Sequence, residues 1–146
     1  MSDNGPVVTY GNPLFECAGA HIRALSRQVA TVVSVSGTID RANLDRVTAF
    51  VRRFVLAEKS FVLDLSDIDA IAAQSASLLG AVAAACERAG VEWALIAGAP
   101  VNALLDRAEQ VTDMPVIGSV PEALQYFADS AARRRSMLLP LLTKTA

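Results

Sequence analysis

His21, Cys17, Cys86 and the aspartates Asp64, Asp67 and Asp69 are the residues whose types suit catalysis or metal binding. His21 is the only histidine, so a Ser-His-Asp or Cys-His relay would have to be built on it. It stands beside Ile22 in an alternating segment, where it reads as a surface or packing residue. Cys17 and Cys86 lie far apart and no second Cys or His pair completes a ligand set, which disfavours a zinc site and a disulfide framework and leaves two small buried thiols. The three aspartates have the charge for a magnesium ion. Asp64, however, alternates with apolar neighbours inside a strand, and Asp67 and Asp69 read as turn-forming loop residues. Gly98-Ala-Pro100 has neither the lysine nor the glycine spacing of a phosphate loop. No catalytic residue, no metal and no cofactor is expected.

Two segments suit recognition better. In Gly37-Thr-Ile-Asp40, followed by Arg41-Ala-Asn43, the glycine lets a strand end turn sharply and Ile39 can enter the core. Asp40 or Asn43 can then bond free amides at a helix start. The second segment runs from Val62 to Leu79, where a helix opens among the small residues around Gln74, Ser75 and Ser77. A helix start with few bulky side chains leaves its N–H groups approachable, and it carries roughly half a positive charge. Ser75 suits simple N-capping there, and Ser75 and Ser77 are also candidate phosphoacceptors in an exposed first turn.

These segments need a scaffold, and hydrophobic periodicity outlines one. Residues 1–19 read as an N-terminal extension, its part from Met1 to Pro13 a mobile lead-in, with regular structure beginning at Ala20-His-Ile-Arg-Ala-Leu25. The β-branched run Val29 to Val35 predicts a central strand antiparallel to it. From Asn43, Leu44, Val47, Phe50, Val51, Phe54 and Val55 recur at three and four, predicting a helix of about fifteen residues. Phe61–Leu65 and Glu92–Ala97 read as strands, and Ser75–Ala89 as a helix stopped by Gly90. Val101–Ala108 follows Pro100 as a third helix, and Pro115–Ile117 reads as a short edge strand. Ser119, Pro121 and Glu122 form a capping box for a fourth helix. The expected architecture is one α/β domain over residues 20–130, with about four helices on a mixed, mostly parallel sheet of about five strands opened by an antiparallel pair. Residues 131–146, with three arginines, an apolar stretch and Pro140, read as an extended tail over a groove or a neighbouring subunit.

Composition narrows the function classes. The chain has 146 residues, 53% of them hydrophobic, and 13 Lys+Arg against 15 Asp+Glu give a net charge of -2. That balance, with only 5% aromatics, disfavours nucleic acid as a partner. The opening Met1-Ser-Asp-Asn-Gly-Pro lacks the basic and apolar run of a secretory signal. No apolar stretch reaches the ~18 residues of a membrane span, so a cytoplasmic location without stable membrane insertion is expected.

The order of elements and both recognition segments resemble the STAS domain of bacterial anti-sigma factor antagonists. The resemblance runs from about Ala20 to Ala128 and rests on four passages: Gly37-Thr-Ile-Asp40, Leu63-Asp-Leu-Ser-Asp-Ile68, Gly90-Val-Glu-Trp-Ala-Leu-Ile-Ala-Gly98 and Met114-Pro-Val-Ile-Gly-Ser-Val-Pro-Glu-Ala-Leu124. It implies a non-enzymatic partner switch that binds an anti-sigma factor or kinase and so frees a sigma factor for transcription. Asp40, Arg41, Asn43, Gln74, Ser75 and Ser77 would form its partner-binding face. In the family, a serine in an Asp-Ser-Ser-Gly pattern at the second helix is phosphorylated, which blocks binding. Gap-free alignment from Leu63 places Ala72, Ala73, Gln74 and Ser75 on that pattern, with Ala73 at the acceptor position. A shift of two residues brings Ser75 there but disturbs the helical register of Leu79 and Val82. A small-ligand or lipid sensor on the same fold, or an assembly component forming homo-oligomers through the tail, stands as the alternative.

Overall fold

The β-branched run does become the central strand. In the computed structural model, which describes residues 7–9, 12–108 and 113–144, it forms β4 (Ala30–Ile39), flanked by an antiparallel and a parallel neighbour. β1 (Val7–Thr9), β2 (Asn12–Cys17) and β3 (Ala20–Ser26) are antiparallel in succession and lead into β4. β5 (Ser60–Leu65) and β7 (Trp93–Ala97) extend the sheet in parallel on the other side. β6 (Ile68–Ile71) pairs in parallel with the last turnward residues of β4. The mixed α/β architecture agrees with expectation, and among the described residues there are four helices, as expected, and seven strands rather than about five.

The helices are α1 (Leu44–Arg52), α2 (Ala76–Ala89), α3 (Ala99–Arg107) and α4 (Val120–Lys144). Period-two alternation along the strands divides the core. Val33, Val35, Phe61, Leu63, Leu65 and Leu95 face a cluster that includes Val47 and Phe50 of α1, Leu79 and Val82 of α2, and Leu104 of α3. Ala30, Val32, Val62, Ala94 and Ile96 face the opposite side, where Ala123 and Phe127 of α4 cover them. Gly90 stops α2 in the left-handed region at φ 71°, as predicted, and the Glu122 N–H donates to Ser119 Oγ at 3.2 Å, one of the two bonds of the expected capping box. The short edge strand is present as a single parallel bridge, Leu95 with Val116.

Four expectations are corrected. Part of the N-terminal segment is sheet rather than a free lead-in: β2 pairs with β3 through a two-residue turn at Ala18 and Gly19, both with positive φ, and Phe15 stacks on Phe50 with ring centroids 4.5 Å apart. The loop expected around Asp69 is strand β6. Helix α1 spans 9 residues, because Phe54 and Val55 donate to carbonyls three residues back and tighten the last turn while their side chains keep packing on the core. The tail continues α4 as helix to Lys144, since the alanines, arginines and leucines there favour helix strongly enough to carry it past Pro140.

Candidate partner-binding site

The candidate site is built where β4 runs out. Gly37 has φ 91°, and a Cβ there would overlap the Gly19 carbonyl oxygen, so only glycine lets β4 pass so close to the β2–β3 turn. The Thr38 N–H donates to that same oxygen at 3.0 Å. Ile39 then enters the core with no exposed surface. Asp40 follows, half-buried, and its Oδ1 accepts the Ala42 N–H at 2.9 Å while its carbonyl accepts the Leu44 N–H at 2.9 Å. This turn delivers Arg41 to solvent.

Asn43 does not face solvent. It is 1% exposed, and it precedes α1 without capping it. Its Oδ1 accepts the Asp40 N–H at 3.0 Å, and its Nδ2 donates to the carbonyls of Thr38 at 2.8 Å and of Cys17 and Ala18 at 3.2 Å. The amide satisfies a knot of backbone groups that apolar packing would otherwise strand. Asn43 is a brace behind the surface, which corrects its expected placement on the docking face.

The second segment meets the first through Ile39. The Ala72 N–H donates to the Ile39 carbonyl at 2.9 Å, continuing the pairing of Ile71 with Ile39. A single 3-10 turn, Ala73–Ser75, then leads into α2, and neither start has a side-chain cap. Ala73, Gln74 and Ser77 are exposed, and Ser77 Oγ donates to the Gln74 carbonyl at 3.2 Å. Ser75 has no exposed surface; its hydroxyl points inward, 3.5 Å from the Ile39 carbonyl oxygen. Its expected roles as N-cap and as an exposed first-turn hydroxyl are therefore corrected. The 3-10 turn rotates Ser75 onto the core face and leaves Ser77 outside.

Asp40, Arg41, Gln74 and Ser77 thus reach one end of the molecule, beside an uncapped helix start, and Asn43 and Ser75 lie beneath them. Asp69 on β6 and Ala73 are also exposed there, and both were absent from the face read in the sequence. Neither carries a local signal: Asp69 arrives through the pairing of β6 with β4, and Ala73 through the 3-10 turn.

The remaining chemistry-bearing residues have other partners. Asp64 accepts the Ser66 N–H at 3.0 Å and the Ser66 hydroxyl at 2.6 Å, closing the turn after β5. His21 Nε2 lies 3.2 Å from Glu16 Oε2 on the neighbouring strand, both well exposed. Burial pushes the Cys86 thiol up to about 12. Among the described residues, no group of three or more His, Cys, Asp or Glu side chains is placed to hold a metal ion, and no helix is long and apolar enough to cross a membrane.

Against this geometry stand the known proteins. The STAS domain family matches residues 21–123. Osmosensory protein A of Mycobacterium tuberculosis is 39% identical over 140 residues, covering 93% of this chain and 89% of that protein. An anti-sigma factor antagonist from Mycobacterium paratuberculosis superposes with a TM-score of 0.64 at 20% identity, over 75% of this chain and 94% of that one. A variant of Moorella thermoacetica RsbS superposes with a TM-score of 0.62 at 17% identity, over 76% of this chain and 97% of that one. The two superpositions bear on the fold, and the family match on descent: the chain belongs to the STAS domain family.

Proposed function

We propose that this protein is a non-enzymatic interaction module that binds an anti-sigma factor or kinase through the end built by Asp40, Arg41, Gln74 and Ser77. One observation carries the reading. The Ala72–Ile39 bond ties the end of β4 to the start of α2, so polar side chains from two distant segments come to one end beside a helix start that no side chain caps. The anti-sigma factor antagonist among the structural neighbours supports it at the level of fold, and the osmosensory name of the mycobacterial relative supports osmotic stress as the upstream signal. If phosphorylation regulates this end, Ser77 is the acceptor that a kinase can reach, because Ser75 is enclosed.

Calorimetric titration of the purified protein with each anti-sigma factor of the source organism tests the reading. The expected result is binding at about 1 µM or tighter to at least one of them, weakened at least about tenfold by Gln74→Arg. No binding to any of them at about 100 µM defeats it.

Self-association has one observation in its favour: α4 projects past its anchor Phe127 with Met137 73% and Leu138 56% exposed. Sedimentation of the full chain against one ending at Ala132 decides it. A monomer in both cases removes the helix end from consideration.

A further inference from the structure

Four arginines gather on the helical layer: Arg52, Arg53 and Arg88 at the helix ends opposite the site just described, and Arg46 in the first turn of α1. A groove of about 570 Å³ runs between the C-terminal parts of α1 and α2, with Ala49, Ala85 and Ala89 along it and Arg52, Arg53 and Arg88 at its sides. An adjoining hollow of about 200 Å³ shares Ala49 and Arg53 and adds Arg46 beside the stacked Phe15 and Phe50. No aspartate or glutamate lines either one. All four arginines are exposed, and the ion pairs among the described residues, His21–Glu16 and Arg134–Glu92, include none of them.

Two ordinary explanations fall short. Cations complement the negative end of a helix dipole, which accounts for Arg52, Arg53 and Arg88 at the C-terminal ends of α1 and α2. Arg46 stands in the first turn of α1, at the wrong end for that effect. A surface charged for solubility mixes both signs, and a chain with net charge -2 has no excess of cations to scatter. Here one sign is concentrated over small residues.

We propose that this groove docks an acidic amphipathic helix of a partner protein. Alanines on both walls let a helix backbone approach closely, while guanidinium groups on either side match the geometry of flanking carboxylates. The apolar strip of such a helix would lie on Ala49, Ala85 and Ala89. The groove's residues on α2, Ala85 to Ala89, lie about 14 to 20 Å along that helix from its start. Gln74 does not line the groove, and this inference does not depend on the anti-sigma reading.

The test uses the full chain and a labelled 20-residue helical peptide with an Ala/Leu strip between two rows of glutamate, followed by fluorescence anisotropy. Saturable binding is expected, weakening at least about tenfold between 50 and 300 mM salt. The double variant Arg52→Glu/Arg88→Glu is expected to lose at least about tenfold in affinity, and Gln74→Arg to lose nothing. Both arginines are exposed, so circular dichroism should show an unchanged fold. Equal binding of the peptide's lysine counterpart overturns the proposal. So does undiminished binding by the double variant, or sedimentation with phosphatidylserine vesicles when the peptide itself does not bind.

Discussion

The Asn43 side-chain amide donates to the Thr38 carbonyl at 2.8 Å and thereby ties the start of α1 to the last turn of β4. The same side chain serves the carbonyls of Cys17 and Ala18 and the N–H of Asp40. Asn43→Ala strands these groups in a buried site and is expected to cost about 3 kcal/mol, a thermal midpoint lower by roughly 10 °C. Asn43→Asp replaces a donor by an anion facing three carbonyl oxygens. It should be worse than alanine at pH 7 and partly recover as acid protonates the new carboxyl, which a denaturation series in pH will show.

Ser75 and Ser77 stand two residues apart and should respond oppositely. Ser75→Glu buries a charge with no cation beside it and is expected to destabilise the fold by more than about 3 kcal/mol. Ser77→Glu places the charge in solvent near a helix start and should leave the thermal midpoint within a few degrees. Ser75→Ala gives up only a long hydrogen bond and should cost about 1 kcal/mol or less. A stable Ser75→Glu protein in a melting experiment contradicts the enclosed placement of this hydroxyl.

Gly37 allows no side chain. Its φ of 91° and its closeness to the Gly19 carbonyl predict that Gly37→Ala costs about 3 kcal/mol, measured by urea unfolding. Gly80→Ala, on α2 with open space around the added carbon, should be neutral or stabilising by up to about 1 kcal/mol.

Cys86 is expected to be inert in the folded protein. Burial raises its thiol from 9.0 to about 12, so the native state holds the proton more tightly than the unfolded chain does. The resulting contribution to stability is complete below pH 9 and is lost as pH rises towards 12. Labelling by a thiol reagent at pH 8 should therefore proceed at the rate of unfolding. Rapid modification of Cys86 under native conditions would falsify this assignment.

The α/β order, the central strand from Val29 to Val35, the Gly90 stop and the Ser119–Glu122 box were legible because each depends on neighbours in the chain. Periodicity decides which residues can face a core, and capping residues act within one turn. β2 was not legible: besides its pairing with β3, Phe15 is held by stacking on Phe50, 35 positions away in the sequence, which no local pattern announces. Nor was β6, whose pairing with the end of β4 brings Asp69 to the candidate face.

By itself the sequence determined which residue types meet at the end of β4 and the start of α2. Only the tertiary structure decided which of them touch solvent. Asn43 and Ser75 have side chains equally able to cap a helix, contact a partner or satisfy buried carbonyls. The choice falls to the backbone groups left unpaired where β4, the β2–β3 turn and the 3-10 turn converge, and a polar side chain inside goes where those groups need it.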